Sequence, residues 1–222
     1  AVFVGVGGYV LSFFLAWSLS QVTKRVRTVM AIIIYSPSMT GSVMLSTIFG
    51  VIFNGDESGY LNYFLLKLKL ISEPVQWLQS DKYLLPIMII VSLWSSMGVG
   101  FLAVLSGIMN VNEELYEAAY IDGVKNRFQE IIYVTIPSTK PQMLFSAVMS
   151  IVGTFSSAGV GVALSGSNPT PNYAGQLIVT HIEDFGFLRY EMGYAAAVSV
   201  VLLIGIRLMS VGAEKLFGSK DE

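Results

Sequence analysis

Residues 114–141 read ELYEAAYIDGVKNRFQEIIYVTIPSTKP, a polar and charged stretch in a chain that is otherwise almost continuously apolar. Asn112 is a good N-cap for a short helix over about 113–122. Glu113 and Glu114 fall in its first turn, where the helix dipole favours anions. Leu115, Ala118, Ala119 and Tyr120 cannot all face water, and Ala118 and Ala119 are small enough to let another surface approach closely. Gly123 is placed to end the helix in a left-handed conformation. A second amphipathic piece runs from Arg127 to Val134, Pro137 ends it, and Pro141 opens the next apolar stretch. The expectation is a helix–turn–helix lying on one membrane face, stiff enough to transmit a push.

Around this stretch, composition points to a polytopic membrane protein. Of 222 residues 54% are hydrophobic and 13% charged, against about 25% charged in soluble domains. The net charge of -2 offers nothing to nucleic acid. The absence of cysteine excludes disulfide frameworks and Cys-based metal sites. Ala1 opens directly into an apolar run with no basic region ahead of it, which does not read as a signal peptide. The expectation is a chain whose native N-terminus lies beyond Ala1.

A spanning helix needs roughly 20 mostly apolar residues. Uncharged runs place five such spans, at about 1–21, 29–53, 84–108, 141–163 and 187–210, with the polar loop at 109–140. The fifth requires Arg207 to reach toward the headgroups. The expected class is therefore an all-α polytopic membrane protein with a single transmembrane domain over 1–222. Loops then alternate sides. Lys24, Arg25 and Arg27 share a side with Lys125, Arg127, Lys140, Lys215 and Lys220. On the other side Lys67, Lys69, Lys82 and Arg189 are offset by Asp56, Glu57, Glu73, Asp81, Glu183 and Asp184. The positive-inside rule puts the first group, the polar loop and the C-terminus in the cytoplasm, and Ala1 outside. Trp77 and the Leu and Tyr residues of 54–82 suit packing near the headgroups. Pro169 and Pro171 argue against one continuous helix over 165–185.

Glu117-Ala118-Ala119, with Asp122-Gly123 behind it and Thr135-Ile136-Pro137 closing the stretch, resembles the EAA loop of ABC-importer permeases. Ile34-Tyr35-Ser36-Pro37, Gly59-Tyr60-Leu61-Asn62, Gln76-Trp77-Leu78 and Met192-Gly193-Tyr194 extend the resemblance to the binding-protein-dependent carbohydrate-uptake branch, oligosaccharide type. There are departures. Gly123 to Pro137 is one residue longer than the usual pattern, Ile136 stands for the usual Leu, and the first of the family's six core spans is missing. The resemblance implies a bacterial or archaeal cytoplasmic membrane, a second permease, two ATPase subunits and an extracellular solute-binding protein. It implies that Glu117, Ala118, Ala119, Asp122 and Gly123 couple this chain to the ATPase.

Other features carry bland readings beside functional ones. Thr154, Ser156 and Ser157 beside Phe155 offer hydroxyls to a passing sugar, or to neighbouring helices. Pro37 could kink a span beside the pathway or be a tolerated interruption. Gly98, Gly100, Gly159 and Gly161 read as packing contacts. His181 is the single histidine and makes no metal site by itself. No P-loop Gly-Lys-Ser/Thr occurs, so the chain is expected not to be an enzyme and to carry no cofactor, with ATP and Mg on a partner ATPase. An ion-coupled secondary transporter and a non-transporting scaffold are the alternatives. The first needs ionisable residues at mid-membrane, and the four clear spans have none.

Overall fold

The computed structural model describes residues 2–217. In chain order the helices are α1 (Val2–Ser20), α2 (Lys24–Tyr35), α3 (Ser42–Ile52), α4 (Tyr60–Lys67), α5 (Asp81–Ser95) and α6 (Val99–Met109). The polar stretch forms α7 (Glu113–Ile121), α8 (Arg127–Glu130) and α9 (Ile136–Ser138), the last two joined by a π-helical turn at Ile131–Thr135. Then come α10 (Lys140–Phe155), α11 (Val160–Ser165), α12 (Ile178–Glu183) and α13 (Met192–Phe217). Among the described residues there is no strand. Lys220 of the expected cytoplasmic group lies outside them.

α1 and α13 are each long and apolar enough to cross a membrane, and α2/α3 and α5/α6 add two crossings if each bent pair is one span. The stretches 29–53, 84–108 and 141–163 are therefore not single helices. At Pro37 the cause is chemical. Proline has no N–H to give the carbonyl of Ile33 and clashes with the preceding turn. α2 ends at Tyr35, and the Ser36 hydroxyl donates to that carbonyl at 3.1 Å. After α10, Gly159 takes a left-handed φ of +72°, so 156–159 leave the helix. α13 begins at Met192 rather than 187, behind Tyr190 at φ +59°.

The chain divides into two compact units. One comprises Ala1–Pro37, Ser96–Thr154 and Ile204–Glu222, the other Ser38–Ser95 and Phe155–Leu203. The first is organised on α1 and α6. Phe13, Ala16 and Leu19 of α1 pack with Phe101, Val104, Leu105 and Ile108 of α6, and Met143 of α10 joins them. Lipid tails are as apolar as leucine, so close backbone approach at small residues has to hold such helices together. Gly100 faces Ser146, and Gly107 faces Gln142. The Ser150 hydroxyl donates to the Gly5 carbonyl at 2.9 Å. Arg27 finishes α1: its guanidinium donates to the carbonyls of Leu19, Ser20 and Val22 at 3.0, 3.1 and 2.8 Å. A cation at a helix C-terminus suits both the dipole and the orphan carbonyls.

In the second unit the core face of α5, Leu84, Ile87, Met88 and Val91, packs with Leu164 of α11, and Phe49 of α3 packs against it. Phe49 also meets Trp94 edge-on, with ring centroids 5.3 Å apart. Gly161 lies against the backbone carbonyl of Gly175 and the Met88 methyl. Of the four glycines read as packing contacts, Gly100 and Gly161 sit at close approaches, whereas a β-carbon at Gly159 would meet nothing within 4 Å, and that glycine serves the left-handed turn instead.

These approaches set a stability test. A β-carbon at Gly161 would collide with backbone, whereas one at Gly153 meets nothing within 4 Å. Gly161→Ala should cost about 1–3 kcal/mol, and Gly153→Ala should be neutral or slightly stabilising. Thermal unfolding of the detergent-purified chain reads both; equal melting of the two variants would contradict this packing.

Candidate functional site

The polar stretch folds as a hairpin whose every end is closed by side chains or by a left-handed residue. Asn112 starts α7: its Oδ1 accepts from the Glu114 amide at 3.2 Å, and its Nδ2 donates to the Glu114 carboxylate at 3.1 Å. At the other end Gly123 has φ +98°. The Val124 amide donates to the Ala119 carbonyl at 3.0 Å, and the Gly123 amide to that of Tyr120 at 3.2 Å. This is a Schellman ending, which satisfies carbonyls the helix itself cannot. Asn126 then starts α8 by accepting from the Gln129 amide at 2.9 Å, and the Gln129 side chain accepts from the Lys125 amide at 2.9 Å. The exchange has the reciprocal logic of a capping box.

Two tyrosines one turn apart tie α7 to the return arm. The Tyr120 hydroxyl donates to Glu130 Oε2 at 2.7 Å, and the Tyr116 hydroxyl lies 3.3 Å from that of Thr135. Glu130 is only 4% exposed. Its charge is met by Arg127, whose Nη1 reaches both carboxylate oxygens at 3.0 and 2.8 Å. A carboxylate tolerates such burial only with partners of this kind. The bond to Glu130, then burial and the Glu130 charge, hold the Tyr120 hydroxyl above its ordinary pKa of 10.0, against a smaller opposing effect of Arg127. The same carboxylate raises Arg127.

Ile131–Thr135 form a π-helical turn, which is one residue wider than an α turn. Ile131, Val134 and Thr135 are buried within it.

With Tyr116 and Ala119 half-buried toward the return arm, the remaining face of α7 is free. Glu117, Ala118 and Asp122 are exposed there beside Leu115, Glu114 and Ile121, the last 88% exposed. Of the five residues read as the contact, three thus lie on the open face, Ala119 lies at its inner edge, and Gly123 shapes the turn. The sequence reading missed Tyr116, Tyr120, Glu130 and Thr135. The signal for the first two was present as a tyrosine pair at i, i+4 opposite the acidic-alanine face.

The hydroxyl patch, expected within one span over 141–163, is divided by a helix end. α10 stops at Phe155, so Ser156 and Ser157 lie in the non-helical link and Thr154 and Ser157 do not share a helix face. Thr154 Oγ1 donates to the Ser150 carbonyl at 2.7 Å, a helix-internal bond, and is the nearest side-chain atom to a β-carbon built on Gly5, at 3.4 Å. Ser156 is exposed, and Ser157 and Phe155 are half-buried. His181 is spent in a ring cluster, 4.4 Å from the Phe185 ring, with Nε2 3.2 Å from the Tyr194 hydroxyl.

Long apolar helices with a polar, self-braced hairpin define a polytopic helical membrane protein. The chain belongs to the family described as binding-protein-dependent transport system inner membrane component, whose model matches residues 8–213. It is 33% identical over 205 residues to the arabinooligosaccharides transport system permease protein AraP of Bacillus subtilis, covering 92% of this chain and 64% of that protein. The lactose transport system permease protein LacF of Rhizobium radiobacter is 27% identical, over 90% of this chain and 66% of that one. The chain thus spans about two thirds of the length of these relatives. A crystal structure of a bacterial ABC transporter involved in import of the acidic polysaccharide alginate shares the fold. Its TM-score is 0.82 at 22% identity, covering 100% of this chain and 77% of that chain.

The hairpin bracing is directly testable. Tyr120→Phe and Glu130→Ala should each loosen the return arm by removing a hydrogen bond to a charged group. Amide hydrogen exchange over 124–139 should rise in both variants, with exchange in α1 and α6 unchanged. The tyrosine bond needs the protonated phenol. Its raised pKa means the contribution is complete below about pH 10, the unfolded value, and is lost as pH climbs past the higher folded value. Protection in the native protein should therefore be the same at mildly acidic and neutral pH and fall only on the alkaline side.

Proposed function

We propose that this chain is the permease subunit of an ATP-driven importer of a sugar or oligosaccharide, and that α7 seats in a cleft of a separate ATPase. The observation that carries this is the braced hairpin, which leaves Leu115, Ala118 and Ile121 outward between Glu114, Glu117 and Asp122. An exposed apolar strip rimmed by charge marks a protein contact. Small Ala118 lets another backbone come close, and the bonds from Tyr116 and Tyr120 pass any displacement of α7 to the return arm leading into α10. Family membership and the arabinooligosaccharide and lactose permeases among the relatives support the sugar class.

In this reading the translocation unit contains a second permease and two ATPase subunits, which hold ATP and Mg. A solute-binding protein delivers the load, a role supported by a crystal structure of a bacterial alginate ABC transporter in complex with an alginate pentasaccharide-bound periplasmic protein. ATP binding closes the ATPase pair, α7 moves with it, and the permeases alternate between outward and inward access. The hairpin and the C-terminal end of α13 lie on the cytoplasmic side, with 54–82 and 165–191 outside. Ser156 and Ser157, outside regular helix, are the better pathway candidates of the four proposed, with Phe155 beside them. Thr154 is engaged within its own helix.

Assembly with the ATPase in proteoliposomes tests the coupling. Gly123→Asp forces a side chain into a left-handed conformation at a cost of about 1–2 kcal/mol, and Glu117→Lys reverses charge on the docking face. Either should abolish uptake, or separate ATP hydrolysis from it, with insertion intact. Normal coupled uptake in both would rule out this face as the contact. The cysteine-free chain also permits single-cysteine labelling. Ser58→Cys and Asn172→Cys should react with an impermeant thiol reagent from outside, and Asn126→Cys only after permeabilisation; the reverse pattern would overturn the orientation.

A further inference from the structure

We infer that α4 is an anchor lying in the lipid headgroup layer, with Tyr60, Tyr63 and Phe64 immersed and Lys67 and Lys69 on the phosphates of anionic lipids. The inference rests on the membrane placement of this chain. α4 carries an unusual face for a helix in water. Tyr60, Tyr63, Phe64 and Lys67 follow the i, i+3, i+4, i+7 spacing of one helical stripe, and all four are exposed. Leu68 and Leu70 continue the exposed apolar surface beyond it.

The opposite face is locked. Asn62 is fully buried. Its Nδ2 donates to the carbonyls of Asn54, Asp56 and Val75 at 3.2, 3.2 and 3.1 Å. Its Oδ1 accepts from the Val75 amide at 3.1 Å and from Trp77 Nε1 at 2.8 Å. With that amide held from five directions, α4 cannot roll its aromatic stripe inward. Among the described residues the stripe is left exposed.

Charge and composition favour lipid over a protein as the cover of that stripe. Protein contacts are depleted of lysine, yet Lys67 sits within the stripe, its ammonium 5.9 Å from the Tyr63 ring centroid. Aromatic rings beside lysines are the chemistry of either membrane interface, where rings sit at headgroup level and long basic side chains reach the headgroups. The acidic residues nearby, Asp56 and Glu57, precede the helix, and Glu73 follows it; both lysines fall at its C-terminal end. Lys69 occupies a left-handed position, φ +55°, at the helix ending, where the Leu70 amide donates to the Leu65 carbonyl at 3.0 Å. Glycine fits such a position without strain; a lysine held there is consistent with use of its charge. α3, which leads into this segment, also exposes an apolar stripe, Met44, Ile48 and Val51.

Spin labels on single cysteines in nanodisc-reconstituted protein test this, reading accessibility to oxygen against a water-soluble nickel chelate. Phe64→Cys should favour oxygen, as Leu203→Cys on the exposed side of α13 should, and Ser58→Cys should favour the chelate. Adding Lys67→Gln and Lys69→Gly, the second easing the backbone, should shift the Phe64 label toward the chelate in phosphatidylglycerol discs and not in phosphatidylcholine discs. If Phe64→Cys reads like Ser58→Cys while Leu203→Cys favours oxygen, the inference fails and the membrane placement stands. If Leu203→Cys also favours the chelate, the membrane placement itself fails and takes the inference with it. Shielding of the Phe64 label only when a sugar-loaded binding protein is added would assign the stripe to that protein and overturn the lipid assignment.

Discussion

A backbone N–H or C=O in lipid has no water to turn to, so each interruption of a helix must be mended by the protein itself. Among the described residues, helix ends inside and beside the apolar stretches are closed in this way by side chains. α1 ends under the guanidinium of Arg27. α2 ends at a proline whose orphaned carbonyl is taken by Ser36. α11 ends with its Ser165 carbonyl accepting from Gln79 Nε2 at 2.6 Å. Where helices run unbroken they present apolar side chains freely, as α13 does with Val200, Val201, Leu203, Ile204 and Leu208. Charged residues are scarce in this sequence, and polar side chains such as Arg27, Ser36 and Gln79 are used to close backbone.

Asparagine does much of this repair. Its amide donates and accepts at once, so one side chain can replace a water at a place where backbone groups of both kinds converge. Asn62 does so for the loop around α4, and Asn112 and Asn126 begin the two arms of the hairpin. The hairpin then adds a different kind of restraint. Glu130 is buried, paired and hydrogen-bonded, and removing either partner would leave a costly group behind. The two tyrosine bonds tie the inward face of α7 to the return arm, and Glu117, Ala118 and Ile121 are left exposed on its outward face.

The π-helical turn shapes the return arm. Each residue of an α-helix turns the chain by about 100°, which follows from 3.6 residues per turn, and a π turn is wider by one residue. Over Ile131–Thr135 this wider turn leaves Val134 and Thr135 buried and Thr135 beside Tyr116.

Features that depend on neighbours along the chain were legible in the sequence. Apolar run lengths marked helices of membrane character. Asn112 and Gly123 marked the ends of α7, because a cap and a left-handed turn are made with backbone only a few residues away. The π turn at Ile131–Thr135 had no signal in the residues themselves. What required tertiary structure was every feature made between distant segments. Asn62 reads from sequence as one polar residue in an outer loop, and it becomes an organising centre only when 54–56 and 75–77 converge on it. Glu130 reads as an exposed charge until Tyr120 closes over it. Thr154 reads from sequence as a hydroxyl for a sugar or for a neighbouring helix, and its bond to the Ser150 carbonyl and its place beside Gly5 appear only in the fold. Local backbone chemistry sets where helices start and stop, whereas burial is decided by which surfaces meet, and in a chain this apolar the hydrophobic pattern alone names too many faces that could.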